Sequence, residues 1–198
     1  TEERIRMACE ELGPTFIKLG QILATRPDLI PISLVEELRK LQDAVPPFGS
    51  AAAREQIETS LGRPISDLFA TFDDAPIAAA SIAQVHRATL PSGEEVAVKV
   101  RRPGLAQAIA TDLEILRGIA SLLEQNAPEL RDWAPGEIVE QFASAIQLEV
   151  DLSNEAANMQ RFARNFAGDP KVHVPVLYAS HSSEAVLTME FVRGIKAR

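Results

Sequence analysis

The chain has 198 residues, of which 46% are hydrophobic and 24% charged, and 20 Lys and Arg against 28 Asp and Glu give a net charge of −8. This composition excludes disorder and low complexity, and the acidic excess argues against nucleic acid as a partner. The single cysteine, Cys9, excludes a disulfide framework and a cysteine-rich metal site.

No apolar run approaches the roughly 20 residues that span a bilayer, so we expect no transmembrane segment. The chain begins at Thr1 rather than Met and ends at Arg198, soon after a run typical of a strand. We therefore expect a fragment of a longer protein.

The first 70 residues show the spacing of amphipathic helices. Apolar side chains from Ile5 to Leu23 recur three or four positions apart, and Gly13-Pro14 interrupts the series. This predicts two short helices, the second beginning at Pro14 and ending near Arg26. Further helices are predicted over residues 33–42 and 50–61, the latter ended by a glycine.

The pattern changes to strands at residue 76. Residues 77–90 and 95–100 predict a hairpin with its turn at 91–94. Two long helices are predicted over residues 105–126 and 135–167. Two further strands are predicted over residues 172–178 and 184–192, with a turn between them.

Lys99 is the first candidate for chemistry. It alternates with valines at 96, 98 and 100, so it points to the opposite face of the strand, beside Ala97. A lysine in this setting can bind a phosphate while Ala97 leaves room for a flat ring. The alternative is a strand lysine that reaches solvent.

The Ala-rich segment, residues 78–85 (AAASIAQV), has the spacing of the kinase loop G-x-G-x-x-G-x-V. Alanine stands at the three glycine positions, 78, 80 and 83. Alanine enters positive φ at a cost that glycine avoids, so we expect a stiffer loop whose N–H groups remain available to phosphates. The alternative is an alanine-rich strand packed under a helix.

Acidic residues follow on a predicted helix. Asp151, Glu155 and Asn158 share one face, which is either solvated or directed into a cleft. At about 100° per residue, Glu149 lies about 200° from Asp151, so both point the same way only if the helix is distorted. The sequence supplies no independent sign of a distortion.

Two weaker motifs lie towards the ends of the chain. Lys18 and Gln21 lie one helical turn apart with Gly20 between them, and close approach of another backbone is the usual reason for such a glycine. Near the C-terminus, the apolar run 186–192 precedes Arg193-Gly194. This run fits a hinge and a buried edge strand equally well.

Taken in order, KLGQ at 18–21, the Ala-rich segment, VAVKV at 96–100 and EVD at 149–151 with Glu155 resemble the UbiB family of protein-kinase-like proteins. LGPTF at 12–16 and RPG at 102–104 extend the resemblance over essentially the whole chain. It implies an α+β fold, namely a kinase-like small lobe with a mostly antiparallel five-stranded sheet, a long αC-like helix and an N-terminal helical extension. We expect residues 1–74 to form the extension and 75–198 the small lobe, with an inserted helix at 105–127 and the large lobe outside this chain.

The resemblance also assigns roles. Lys99 would bind nucleotide phosphates with Glu155 as its partner, and the Ala-rich segment would cover the nucleotide. Met189 would be the gatekeeper, with hinge backbone groups facing adenine, and the residues of the KLGQ and EVD motifs would meet in the cleft. The predicted catalytic residues are Lys99, Glu155, Lys18, Gln21, Glu149 and Asp151. The predicted cofactor-binding residues are Ala78, Ala79, Ala80, Ser81, Ile82, Ala83, Gln84, Val85, Ala97, Lys99, Met189, Glu190 and Val192, and no metal ligand is predicted.

The resemblance implies an ATP-dependent atypical kinase or ATPase that supports the biosynthesis of ubiquinone or related isoprenoid quinones. Implied partners are a nucleotide, a lipid or quinone-precursor membrane surface and biosynthetic proteins. The protein would lie peripherally on a membrane, on the cytoplasmic or organelle-matrix side.

The chain contains no D-F-G motif. We expect the catalytic-loop and metal-binding acids, and with them Mg²⁺, to belong to the large lobe, so the fragment alone would be inactive. Two other readings stay open. One is a non-catalytic pseudokinase-like scaffold that docks a partner or membrane, and the other is an α+β domain without a site.

Overall fold

The computed structural model describes residues 1–41, 46–127 and 133–194. It contains eight α-helices and five β-strands within those ranges. The helices are α1 (Glu2–Leu12), α2 (Pro14–Leu23), α3 (Ile32–Leu38), α4 (Ser50–Leu61), α5 (Ile65–Leu68), α6 (Leu105–Asn126), α7 (Pro135–Val150) and α8 (Leu152–Asn165). The strands are β1 (Thr71–Phe72), β2 (Ala78–Ala79), β3 (Ala83–Thr89), β4 (Glu95–Arg101) and β5 (Val186–Glu190).

The chain packs as two compact units. The helical unit comprises the described residues within 1–45 and 104–148, and the sheet unit those within 46–103 and 149–198. Helices α4 and α5 therefore belong with the sheet, and α6 with the first three helices. The predicted boundary at residue 74 separates the family's N-terminal extension from the small lobe. It is a division by family architecture and not by packing, and it stays a prediction.

The helical unit begins with the predicted interruption between α1 and α2. Gly13 takes φ 99°, a value that favours glycine, and Pro14 occupies the first turn of α2. Gly20 permits a close approach, because a Cβ there would overlap Leu41 Cδ1 and lie 3.4 Å from Leu38 Cδ2. The approaching atoms are side chains, and not the backbone that the sequence suggested.

Two predicted helix ends differ from the structure. Helix α2 ends at Leu23 rather than near Arg26, and a turn follows it. Helix α3 ends at Leu38, whereas the prediction extended to residue 42, which lies outside the described residues.

The sheet unit is built on a five-stranded antiparallel sheet. Its order is β1-β3-β4-β5, and β2 also pairs with β3. One face is buried against α4, α5 and the segment that follows α5. The buried core residues are Ile57, Leu68, Phe69, Ala88, Leu90, Val96, Val98, Val100 and Val186. The antiparallel five-stranded sheet and the long helices confirm the predicted α+β fold class.

Two of the predicted strands are wrong, and the strand predicted over 184–192 is shorter, Val186–Glu190. The run 77–90 bends at residues 80–82, where the Ala80 N–H donates to the Ala83 carbonyl, and the two halves become the antiparallel strands β2 and β3. The run 172–178 is not a strand, and Leu177 makes only an isolated bridge to Met189. Pro175 interrupts that run because proline cannot donate to a ladder. The short strand β1 is the one that sequence reasoning missed.

The predicted helix over residues 135–167 is wrong as a single helix. Asp151 breaks it with extended backbone, φ −86° and ψ 101°, and its side chain accepts the Ser153 N–H at 2.9 Å. An aspartate that satisfies an open N–H in this way begins a new helix. Helix α7 therefore ends at Val150 and α8 begins at Leu152. None of the helices in the described ranges combines the length and apolarity needed to cross a membrane.

Candidate functional site

Lys99 and Glu155 meet on the face of the sheet opposite to the core valines of β4. Lys99 lies on β4, between β3 and β5, and Glu155 lies in the first turn of α8. Lys99 Nζ donates to Glu155 Oε2 at 2.6 Å. The two side chains are 29% and 42% exposed, so a ligand can reach the pair from solvent.

The Lys99 face is defined by the register of three strands. Lys99 lies opposite Val85 on β3 and Leu187 on β5. Ala97, two residues earlier on the same face, lies opposite Met189 on β5. On β3 it lies opposite Arg87, and the room that its small side chain would leave for a flat ring stays a prediction.

The Ala-rich segment comprises β2, a bend and the first residues of β3. Ala78 and Ala79 form β2, Ala80 is half-buried, and the next four residues, Ser81, Ile82, Ala83 and Gln84, are buried. The segment is therefore a bent connection packed on the sheet unit rather than one continuous strand. Its availability to phosphates stays a prediction.

The Gln84 side chain lies on the core face, opposite to Lys99. Its Oε1 accepts the Phe48 N–H at 3.0 Å, and its Nε2 donates to the Phe48 carbonyl at 3.2 Å. The Gln84 side chain therefore holds the backbone of Phe48, close to the point where the chain enters the sheet unit. The predicted contact of Gln84 with a nucleotide would therefore involve its backbone.

The predicted gatekeeper and hinge residues lie at the end of β5 and just beyond it. Met189 lies on the Lys99 face, whereas the Glu190 carboxylate accepts from His173 Nε2 at 2.9 Å and the Val176 N–H at 3.1 Å. Val192, beyond the strand, is exposed. The adenine contacts assigned to the backbone of this segment stay predictions.

Sequence reasoning missed a cluster of charged side chains at the end of the Lys99 face nearest to the predicted hinge. Glu95 pairs with Arg87 and accepts from Arg193 Nη2 at 2.8 Å. These two hydrogen bonds lower the pKa of the Glu95 carboxyl. Arg87 also lies 5.2 Å above the Phe191 ring centroid. The available signal was the opposite charges of Arg87 and Glu95 on the two strands of the predicted hairpin.

The remaining predicted residues lie in both units. Glu149 is in the last turn of α7, and Asp151 caps α8. Lys18 and Gln21 lie on α2 in the helical unit, where Gln21 Nε2 donates to the Leu41 carbonyl at 3.3 Å. The approach of Lys18 and Gln21 to Glu149 and Asp151 stays a prediction. Across the described ranges, no three His, Cys, Asp or Glu side chains are grouped to hold a metal ion.

An antiparallel five-stranded sheet, with a lysine on an inner strand paired to a glutamate on an adjacent helix, is typical of the small lobe of a protein-kinase-like fold. The ABC1 atypical kinase-like domain family matches residues 40–198. The chain belongs to the UbiB family of atypical kinase-like proteins.

Relatives named "Probable protein kinase UbiB" match over nearly the whole chain. That of Marinobacter nauticus is 48% identical over 98% of this chain and 35% of its own length. That of Cellvibrio japonicus is 45% identical over the same shares, and that of Pseudomonas fluorescens Pf0-1 is 47% identical over 98% of this chain and 36% of its own length. The chain thus spans about a third of the length of these curated relatives.

A solved structure shares the fold. The complex of Rv3197 with erythromycin from Mycobacterium tuberculosis is similar with a TM-score of 0.64 and 31% identity. The similarity covers 89% of this chain and 44% of that chain.

Proposed function

We propose that this chain is the ATP-binding half of an atypical kinase or ATPase that supports the biosynthesis of ubiquinone or related isoprenoid quinones. The observation that carries the proposal is the 2.6 Å contact between Lys99 Nζ and Glu155 Oε2 on a kinase-like sheet. The names of the UbiB relatives support the kinase class.

The residues on the Lys99 face fit a nucleotide. The Lys99 ammonium is a point charge suited to phosphate oxygens, and Glu155 restricts where that ammonium can lie. Ala97 and Met189 would provide an apolar surface for a base, and backbone N–H groups of the Ala-rich segment would bind phosphate oxygens. Bound Mg²⁺ would neutralise phosphate charge during phosphoryl transfer.

Further parts of the machinery complete the proposal. Lys18, Gln21, Glu149 and Asp151 would act in the same cleft. The catalytic-loop and metal-binding acids would come from a segment outside residues 1–198, so residues 1–198 alone would not turn over ATP. A lipid or quinone-precursor membrane surface and biosynthetic proteins would be the partners, with peripheral association on the cytoplasmic or organelle-matrix side.

The test is ATP binding and Mg²⁺-dependent ATP hydrolysis by the full-length protein and its Lys99→Ala and Glu155→Gln variants. Lys99→Ala should weaken ATP binding about tenfold or more, which corresponds to about 1.4 kcal/mol. Because exposed ion pairs contribute about 0–1 kcal/mol to folding, the folded state should survive both changes.

Lys40→Ala is the matched control. Lys40 also pairs with a glutamate, Glu37, but it lies on the helical unit and is 65% exposed. Unchanged ATP affinity and turnover in Lys99→Ala would contradict the assigned role of Lys99. Nucleotide binding without hydrolysis in buffer, detergent and lipid would instead favour a scaffold.

A further inference from the structure

Two consecutive arginines at the end of β4 make unlike contacts. Arg101 is directed towards the beginning of α8, which carries Glu155, and Arg102 towards the Ala-rich segment. Both lie close after Lys99 along the chain, separated from it by Val100. The strand that carries the proposed phosphate-binding lysine is therefore joined to both elements expected to surround the nucleotide.

Arg101 joins three backbone segments of the sheet unit. Its Nη1 donates to the carbonyls of Val150 at 3.2 Å and Glu184 at 3.3 Å. The same Glu184 carbonyl accepts the Leu152 N–H at 2.9 Å. Arg101 thus bonds to the last residue of α7 and shares an acceptor with the first residue of α8.

This arrangement fixes where α8 begins. The Arg101 side chain is only 12% exposed, so its guanidinium needs these acceptors to offset the loss of hydration. Glu155 follows Leu152 within a single helical turn, and a displaced helix start would move its carboxylate. The ion pair with Lys99 would then lengthen.

Arg102 holds the bend of the Ala-rich segment through both main chain and side chain. Its N–H donates to the Ile82 carbonyl at 2.8 Å. Its Nε donates to the Ser81 carbonyl, and its Nη2 to the Ala80 carbonyl, each at 3.3 Å. Three successive carbonyls of the bend therefore have the same residue as donor.

The Arg102 guanidinium is half-buried and makes two further contacts. Its Nη2 donates to the Pro46 carbonyl at 3.0 Å, and the guanidinium lies 5.2 Å above the Phe48 ring centroid. Burial lowers the pKa of this group. A guanidinium held by carbonyls and an aromatic ring is stabilised in one orientation, and it restrains the bend in turn.

We propose that Arg101 and Arg102 are positioning residues of the nucleotide site, Arg101 for Glu155 on α8 and Arg102 for the Ala-rich segment. The inference rests on the proposed function for its effect on ATP, but its structural part can be measured without nucleotide.

Two amides report on the two restraints. The Leu152 N–H, bonded to Glu184, reports on the start of α8, and the Ala80 N–H, bonded to Ala83, reports on the bend. In the nucleotide-free, full-length protein, Arg101→Ala should accelerate exchange of the Leu152 amide about tenfold or more and leave Ala80 unchanged. Arg102→Ala should accelerate exchange of the Ala80 amide about tenfold or more and leave the Leu152 amide unchanged.

Arg54→Ala is the matched control in the same unit. Arg54 pairs with Asp74 at 2.9 Å and lies 5.1 Å above the Phe72 ring centroid, so it makes comparable interactions but touches neither element. It should accelerate neither amide. Acceleration of both amides in each arginine variant would indicate general loosening and overturn the proposal, as would no change in either amide.

Lysine substitutions separate positioning from bulk packing. Arg101 reaches both carbonyls through Nη1, and its Nη2 bonds only to the exposed Glu184 carboxylate at 3.3 Å, so Arg101→Lys can restore the carbonyl bonds and should bring Leu152 exchange within about threefold of the wild type. Arg102 uses two nitrogens on different carbonyls, so Arg102→Lys should recover less. Equal failure of Arg101→Lys and Arg101→Ala would contradict the assignment for Arg101.

Measurements of ATP binding and hydrolysis then test the functional part of the proposal. Arg102→Ala should raise the Kd for ATP about tenfold, whereas Arg101→Ala should lower kcat about tenfold with the Kd within about threefold. If each alanine variant accelerates exchange of its own amide alone but leaves the Kd and kcat for ATP unaltered, the positioning role is overturned. Absence of ATP binding by the wild type would contradict the proposed function itself, and the exchange pattern would still decide what each arginine restrains.

Discussion

The Nε2 atoms of Gln84 and His86 lie 2.8 Å apart on the buried face of β3. His86 Nδ1 is 2.7 Å from the Asp73 carbonyl, which can only accept, so Nδ1 carries the proton and donates it. His86 Nε2 is then the acceptor for the Gln84 amide. The network requires a neutral imidazole, since a proton on Nε2 would oppose the Gln84 donor.

The first prediction is that acid destabilises the sheet unit through His86. Burial lowers the pKa of His86 from its ordinary value of 6.5. Because the pKa is lower in the folded state, the unfolded chain binds the proton first. Stability is therefore complete above pH 6.5 and is lost as the pH falls from there through the lowered value. Urea denaturation between pH 8 and pH 5 measures this loss.

The His86 contribution is isolated by comparing substitutions. His86→Gln should reduce the difference in unfolding free energy between the two pH limits, whatever its effect on absolute stability. His173→Gln is the control, because His173 is 61% exposed and lies outside this network. An identical pH dependence in wild type and His86→Gln would refute the prediction.

The second prediction concerns the hydrogen bond that joins α2 to α6 in the helical unit. The buried Thr15 Oγ1 donates to Asp112 Oδ2 at 2.5 Å. Thr15→Val keeps the side-chain shape but removes this donor from the half-buried carboxylate. We expect the free energy of unfolding to fall by about 1–3 kcal/mol.

Thr25→Val provides the comparison for Thr15→Val. Thr25 is exposed, and its hydroxyl donates to the Ile22 carbonyl within the local turn. Urea denaturation should show a change below about 0.5 kcal/mol for this variant. Equal effects of the two substitutions would mean that the bond to Asp112 adds nothing.

The third prediction contrasts two mid-helix glycines of the helical unit. Gly20→Ala places a methyl group against Leu41, whereas Gly118 on α6 has open space within 4 Å of a Cβ. Gly118→Ala should therefore stabilise by about 0.5–1 kcal/mol through helix propensity. Gly20→Ala should destabilise by on the order of 1 kcal/mol, because overpacking outweighs that gain.

Leu41→Ala makes the Gly20 prediction specific. In a chain that already carries Leu41→Ala, the Gly20→Ala change should no longer destabilise, since the conflicting methyl group is gone. Thermal or urea denaturation of the four variants gives the coupling free energy. A coupling near zero would show that contact with Leu41 does not limit the residue at position 20.

Local signals explain what could be predicted of the fold. Helix α4 has its predicted bounds, because Gly62 at φ 66° supplies a strong C-terminal signal. The β3–β4 hairpin follows from alternation around a polar turn. The break at Asp151 was missed because helical spacing continues on both sides of it, and a capping aspartate looks like any polar surface residue until its backbone is known.

The candidate site likewise contains contacts that the sequence indicated and contacts that it did not. The family resemblance implied that Lys99 and Glu155 are partners, and the structure brings their side chains together, while their roles stay predictions. The contacts of Arg101 and Arg102 had no comparable signal, because their acceptors are mostly backbone carbonyls and are distant in sequence. Side-chain patterns do not reveal which carbonyls a fold will bring near an arginine.

The fourth prediction separates two roles of Asp151. Its Oδ1 accepts the Ser153 N–H at the start of α8, a task that a neutral amide oxygen performs equally well. Asp151→Asn should therefore unfold within about 0.5 kcal/mol of the wild type, whereas Asp151→Ala should lose about 0.5–2 kcal/mol. Urea denaturation measures both, and loss of Leu152 amide protection should accompany the alanine change.

ATP hydrolysis by the same two variants in the full-length protein then shows whether the Asp151 charge matters. If Asp151 acts in the cleft through its carboxylate, Asp151→Asn should be stable yet lose about tenfold or more in kcat, because an amide carries no charge. If capping is its whole contribution, Asp151→Asn should hydrolyse ATP like the wild type and only Asp151→Ala should fall. Because Asn keeps the cap and removes only the charge, hydrolysis by Asp151→Asn decides between these roles without reference to the absolute stability of either variant.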